Sequence, residues 1–246
     1  PVANVMIRNW GVSAAFQIIA VCFAVVLLLA SAFVEQGPEE AGQMLPGGGR
    51  DMGWREMLCQ KKFYGMCAML LCGGLSGMMV ISSASDMAQV EAGFSPAAAA
   101  LMVSVLSLFN AGGRASAGIL SDKLGRIGTL SLVFPISVAA LCALFFFGQD
   151  SMAVFAVSIA LVGACFGALM GIFPGFTADE FGQRNNTVNY GILFFGFALS
   201  GMLGPQVASW VMSGTGSYRS AFLIAAVVAL AGFALTFLHR RLAARS

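Results

Sequence analysis

The chain has 246 residues, of which 59% are hydrophobic and only 10% charged. A soluble domain carries about 25% charged residues, so this composition cannot cover a water-facing surface and points to an integral membrane protein. The formal net charge of +2 gives no case for nucleic-acid binding.

Charged residues punctuate the sequence. The intervals from Arg8 to Glu35, Lys62 to Asp86, Glu91 to Arg114, Arg126 to Asp150, Asp150 to Asp179, Arg184 to Arg219 and Arg219 to His239 each hold at least 19 uncharged residues. A helix needs about 20 apolar residues to cross the hydrocarbon core, whereas a barrel shows alternating segments of about ten. The fold class predicted is therefore all-α, with seven transmembrane helices over 12–33, 63–85, 97–120, 128–148, 152–174, 188–212 and 219–238. Glu35–Lys62, with Pro38, Pro46 and Gly47–Gly49, reads as a linker, and Trp54–Lys62 as an interfacial helix within it. The chain opens Pro1-Val2-Ala3-Asn4 without an initiator Met or a basic signal segment, and is read as a piece of a longer protein.

Basic residues set the expected orientation. The connections 35–62, 121–127 and 179–187 and the C-terminal tail hold ten of them: Arg50, Arg55, Lys61, Lys62, Lys123, Arg126, Arg184, Arg240, Arg241 and Arg245. The opposite connections hold only Arg8 and Arg219. The positive-inside rule then puts the linker, the 121–127 turn and the C-terminus in the cytoplasm, for a plasma-membrane or inner-membrane protein. Loops at Asp86–Glu91, Asp150 and Ser213–Tyr218 face out.

Gly163, Gly167 and Gly171 share one helix face, as do Gly73 and Gly77; small residues let helix backbones approach closely in lipid. Pro174-Gly175 is expected to end or break its helix, and Gly204-Pro205 to interrupt the sixth span. The six cysteines, Cys22, Cys59, Cys67, Cys72, Cys142 and Cys165, form no CxxC pair and read as small buried residues. Neither a metal nor a cofactor is expected.

Arg114 is the one charge inside a span. It precedes Asp122 by eight residues, about 12 Å of helix rise, and placing it there costs at least ~2.5 kcal/mol on insertion scales. Ser107, Asn110, Arg114 and Ser121 form a polar stripe at helical spacing. The guanidinium can hold a carboxylate by two parallel hydrogen bonds; a structural ion pair, or snorkelling to the surface, is the other reading. In the turn that follows, Asp122 can pair with Arg126 and Gly125 can supply a positive φ. Gly118, Asp122, Lys123, Gly125 and Arg126 make either a latch between two helices or an ordinary charged loop. Asn189-Tyr190-Gly191 opens the sixth span, where a helix N-terminus favours anions.

The stretch Gly118-Ile-Leu-Ser-Asp122-Lys123-Leu-Gly125-Arg126 resembles the cytoplasmic-loop signature of the major facilitator superfamily. With Leu108-Phe109-Asn110-Ala-Gly-Gly113-Arg114 and Asn189-Tyr190-Gly191, the chain resembles the oxalate/formate antiporter family of that superfamily from about Gly11 to Leu238. The resemblance implies that 1–34 is the last helix of an N-terminal half, 35–62 the central cytoplasmic linker and 63–246 a six-helix C-terminal half. The missing N-terminal half is then a partner, alongside the lipid bilayer. Arg114 matches a substrate-binding arginine, with Asn110, Ser107, Asn189 and Tyr190 around it. Asp122 and Arg126 are implied to form a gating contact with the start of helix eleven, the span opened here by Asn189-Tyr190-Gly191, and Asp179 and Glu180 could join it. Oxalate-transporting members carry a lysine in that helix; this chain has Ile192-Leu-Phe-Phe-Gly-Phe-Ala-Leu199 instead. One cation suits a monocarboxylate, so the substrate implied is a small pyruvate-, lactate- or formate-like anion moved by alternating access.

Two other classes are weighed. Gly74-Leu75-Ser76-Gly77 resembles the serine motif of an intramembrane protease, which needs a histidine within hydrogen-bond reach. The only histidine, His239, follows the last span. A seven-helix receptor is suggested by helix count, and the last span has no lysine for a retinal Schiff base. The expectation is a transporter, not an enzyme.

Overall fold

The computed structural model describes residues 2–31 and 51–243 as two separate units. Most of the expected linker, including Pro38, Pro46, Gly47–Gly49 and Arg50, lies outside the described residues, as does Arg245.

The first unit is one helix, α1 (Val2–Ser31), whose backbone departs from helical geometry at Gly11 (φ 81°, ψ 166°). Its Asn9–Ser31 stretch has a mean hydropathy of 2.7. The second unit contains α2 (Trp54–Leu58), α3 (Lys61–Ile81), α4 (Ala84–Ala92), α5 (Pro96–Leu124), α6 (Arg126–Phe147), α7 (Met152–Phe181), α8 (Asn186–Leu193), α9 (Phe195–Thr215) and α10 (Arg219–Ala243). There is no strand among the described residues. Among the described residues, seven segments are long and apolar enough to cross a membrane: Asn9–Ser31, α3, α5, α6, α7, α8 with α9, and α10.

Local chemistry starts and stops these helices. Ser95 caps α5, its hydroxyl accepting from the Ala98 N–H at 3.3 Å, and Pro96 follows where its missing N–H costs nothing. Ser151 caps α7 in the same way through Val154 at 3.4 Å. Gly125 turns α5 into α6 at φ 76°, ψ 159°, a conformation that a side chain would strain.

Three local expectations are corrected. Asp86–Glu91 is not a bare loop: the second span stops at Ile81 and Ala84–Ala92 forms its own helix, burying Ala84, Met87, Ala88 and Glu91 on one face. Pro174-Gly175 does not end its helix, since α7 runs on to Phe181 and stops at Gly182, where φ is 90°. Pro205 likewise lies inside α9; the interruption in that span falls earlier, at Phe194 between α8 and α9. In both cases the helix continues past the proline, so one lost backbone hydrogen bond does not terminate it.

α7 is the most enclosed of the spans and α5 the least enclosed in the second unit. The glycine stripe of α7 explains how they meet. A Cβ at Gly163 would strike the Leu106 carbonyl, one at Gly167 the Asn110 carbonyl, and one at Gly171 the Arg114 carbonyl. Gly113 of α5 returns the contact, set against the Ala164 carbonyl. Backbone therefore rests on backbone, and a rigid partner cannot yield to an added methyl group. Gly167→Val is expected to cost about 1–3 kcal/mol, seen as a lowered thermal-unfolding midpoint of the solubilised protein. Gly214→Val, where a Cβ meets nothing within 4 Å, is the control and leaves the midpoint in place.

The bundle has two chemically different ends. One gathers Lys62, Asp122, Arg126, Asp179, Glu180 and His239. At the other, Glu91 of α4 is buried, and among the described residues it forms no ion pair. Its carboxylate accepts from Gln149 Nε2 at 2.6 Å, from Ser217 Oγ at 2.9 Å and from the Tyr218 backbone N–H. Three donors replace the water that a buried carboxylate needs, and they tie α4 to the α6–α7 turn and to the chain entering α10.

Candidate functional site

α5 is seated on α7 by its small-residue face, and Arg114 is exposed on another face. Arg114 lines a cavity of about 390 Å³ together with Met170, Thr187, Tyr190, Gly191, Phe194 and Phe197. That size falls in the range of small-ligand pockets, about 300–1,000 Å³. One wall is cationic, one carries the Tyr190 and Thr187 hydroxyls, and the rest is aromatic or aliphatic. Among the described residues, no carboxylate lines it.

Asn110 orients the cation. Its Oδ1 accepts from Arg114 Nε at 3.2 Å, one helical turn away. This fixes the guanidinium plane and leaves the terminal nitrogens for a ligand. Tyr190 lies within electrostatic reach of Arg114, and its ring packs on Phe194 at 5.5 Å between centroids. Structure thus brings Arg114, Asn110 and Tyr190 together. The other two predicted binding residues stand apart. Ser107 is exposed a turn further along α5 and donates to the Val103 carbonyl at 2.8 Å. Asn189 is fully buried and donates to the Met52 carbonyl at 3.0 Å.

Met170, Thr187, Phe194 and Phe197 were missed in sequence. Apolar residues in an apolar span carry no signal of their own. Thr187, Tyr190, Gly191 and Phe194 do recur at one-face spacing along the start of the sixth span, which is the pattern that could have found them.

The charged turn is a three-helix junction. Arg126 donates through Nη1 to Asp122 Oδ1 at 2.8 Å and to Ser121 Oγ, and through Nε to Asp179 Oδ2 at 2.8 Å. Ser121 in turn donates to the half-buried Gly118's carbonyl at 2.8 Å. The guanidinium lies over Gly175 of α7, where a Cβ would come within 2.9 Å of it. Gly175 is thus a seat for Arg126. The recorded partner of the turn is Asp179 on α7 rather than the start of α8. Lys123 is exposed. Adjacent Glu180 faces elsewhere, pairing with Lys62 at 3.2 Å and approaching His239 Nε2 at 3.4 Å. The protease geometry is not formed: Ser76 donates to Gly73 of its own helix at 3.0 Å, and His239 is engaged by Glu180.

Residues 1–205 match the sequence profile of the Major Facilitator Superfamily. The chain belongs to that superfamily. It is 26% identical over 245 residues to the oxalate:formate antiporter of Oxalobacter formigenes, covering 98% of this chain and 58% of that protein. It is 34% identical over 150 residues to an uncharacterized MFS-type transporter, YhjX, of Escherichia coli K12, covering 61% of this chain and 37% of that one. Monocarboxylate transporter 12 of Xenopus laevis is 27% identical over 150 residues, covering 60% of this chain and 31% of the relative. Among solved structures, the Major Facilitator Superfamily transporter FucP in the outward conformation superposes with a TM-score of 0.67 at 16% identity, over 93% of this chain and 55% of that one. At that identity the likeness shows the fold. The chain spans about half the length of these relatives, 37% and 58% of the first two. Superfamily membership and seven apolar helices together make it an integral, multi-pass, all-α membrane protein with a partial superfamily fold.

Proposed function

We propose that the chain is part of a secondary transporter of small monocarboxylate-like anions that works by alternating access. The observation that carries this reading is Arg114, held by Asn110 in a cavity with no acidic lining residue. A cation within an apolar span, with no carboxylate lining its cavity among the described residues, is a place for a carboxylate. Tyr190 and Thr187 supply hydroxyl donors, and Met170, Phe194 and Phe197 suit a short apolar tail. One cation matches one carboxylate, which favours a monocarboxylate over oxalate. Relatives named as an oxalate:formate antiporter and a monocarboxylate transporter support the same class.

In this reading, residues 63–246 form a six-helix half, 35–62 the linker and 1–34 the last helix of the other half. The exposed apolar face of α5, with Leu108, Phe109 and Ile119, is covered by helices from the part of the relatives that this chain does not span. The end bearing Arg126, with the C-terminus, faces the cytoplasm, as its basic residues favour. The Gly118–Arg126 junction holds that end closed in one state of the cycle. Counterflow in proteoliposomes of the assembled transporter tests the reading. Labelled monocarboxylate should enter saturably and be displaced by other short monocarboxylates. Preferential displacement by dicarboxylates, or indifference to all carboxylates, overturns it.

A further inference from the structure

The residues just before α2 are tied to the helix that carries the cavity. Asp51, Met52 and Gly53 precede α2 without helical structure of their own. The Met52 N–H donates to the Phe181 carbonyl at 2.9 Å, at the end of α7. The Met52 carbonyl accepts from Asn189 Nδ2 at 3.0 Å and from Asn185 Nδ2 at 3.2 Å, at the start of α8. Asp51 Oδ1 accepts from the Arg184 N–H at 3.2 Å and lies against Gly182. Both backbone groups of Met52 are thus consumed by the α7–α8 corner.

Asn189 shows what this arrangement is for. It is fully buried, and its Oδ1 has no hydrogen-bond partner. A leucine would fill such a position without leaving a polar atom desolvated. What the amide provides is the bond its nitrogen makes to Met52. The next residue is Tyr190, and Thr187 and Gly191 of the same short helix also line the cavity. α8 has eight residues and is interrupted at Phe194, so its seat depends on its anchors. Those are Met52 and the Pro174 carbonyl, which accepts from Asn186 Nδ2 at 3.2 Å.

We propose that Asn189, assisted by Asn185, is a positioning residue. It clamps the Asp51–Gly53 strap to α8 and so holds Tyr190 and Thr187 opposite Arg114. Strap and cavity are then coupled: an anion bound between Arg114 and Tyr190 stabilises the clamped strap, and releasing the strap weakens the anion. The coupling rests on reading the cavity as the carboxylate site, whereas the clamp itself does not.

Asn189→Asp is the isosteric test, because it sets an acceptor oxygen against the Met52 carbonyl. In proteoliposomes of the assembled transporter, KM for monocarboxylate should rise about tenfold with maximal rate within about twofold. Asn185→Asp, at a less buried position, should give a smaller rise in KM and serves if the first variant does not fold. A second readout uses Met52→Cys in a background free of other cysteines, labelled with a membrane-impermeant maleimide. Asn189→Asp should speed that labelling without any anion present. Saturating monocarboxylate should slow it when Asn189 is intact and not in the variant. Unchanged KM in both variants, or labelling that ignores the anion while Asn189 is intact, overturns the coupling. Labelling that Asn189→Asp leaves unchanged overturns the clamp. Uptake that survives Arg114→Ala would instead discredit the carboxylate reading, leaving the variant's labelling rate to judge the clamp.

Discussion

Arg114→Ala should reduce saturable monocarboxylate uptake by about 100-fold or more. A hydrogen bond to a charged group is worth about 1.5–3 kcal/mol, and two are lost. The variant also leaves Asn110 Oδ1 without the guanidinium it now accepts from at 3.2 Å. Arg114→Lys keeps the charge and loses the planar fork, so about tenfold weaker transport is expected. This ordering separates the binding reading from snorkelling to the membrane surface. A snorkelling arginine tolerates lysine, and even alanine, with little change in uptake, because its role there is only to reach water. Measuring labelled-anion influx against concentration for the three proteins checks it. Equal influx in all three would end the case for Arg114 as anion anchor.

Arg126→Glu should have the second largest effect. Arg126 bridges Asp122 and Asp179, each at 2.8 Å. Those carboxylates are themselves 67% and 50% exposed, so each ion pair alone is worth no more than about 1 kcal/mol. Reversal does more than delete them: it sets three carboxylates where one cation sat, at the ends of α5, α6 and α7. Like charges about 4 Å apart near a protein surface repel by up to about 4 kcal/mol, enough to shift a two-state equilibrium by more than about 100-fold. Transport should fall at least tenfold and be partly recovered by adding Asp179→Arg, which restores opposite charge across the α6–α7 contact. Lys123→Glu, an exposed change in the same turn, is the control and should stay within about twofold. Loss of transport from Lys123→Glu as well would shift the cause to membrane orientation.

Some of this was legible because the governing distances are short in sequence. Uncharged intervals revealed the spans, since a membrane helix is defined by local apolar length. Asn110 and Arg114 are one turn apart, so their bond follows from helix geometry, and the glycine stripe of α7 announced a close contact on one face. What the stripe touched was not legible, because the Asn110 and Arg114 carbonyls meet it only after α5 and α7 pack. The same holds for Arg126 and Asp179, separated by 53 residues. Asn189 looked like a pocket residue because it adjoins Tyr190; helix rotation puts neighbours about 100° apart, and the docked strap claimed it. The charges of Asp86–Glu91 suggest a loop, although Ala84, Met87, Ala88 and Glu91 repeat at helical spacing. Pro174 was read for its local breaking tendency, which enclosure of α7 overrides.

The seat of α5 separates what must stay constant from what can change. Gly163, Gly167 and Gly171 touch carbonyl oxygens of Leu106, Asn110 and Arg114, not their polar side-chain groups. Backbone carbonyls are the same whatever residue bears them. The side chains at 110 and 114 can therefore be exchanged while the joint beneath them carries no memory of the exchange. The joint rests on its glycines, so redesigning the cavity need not begin by rebuilding the fold.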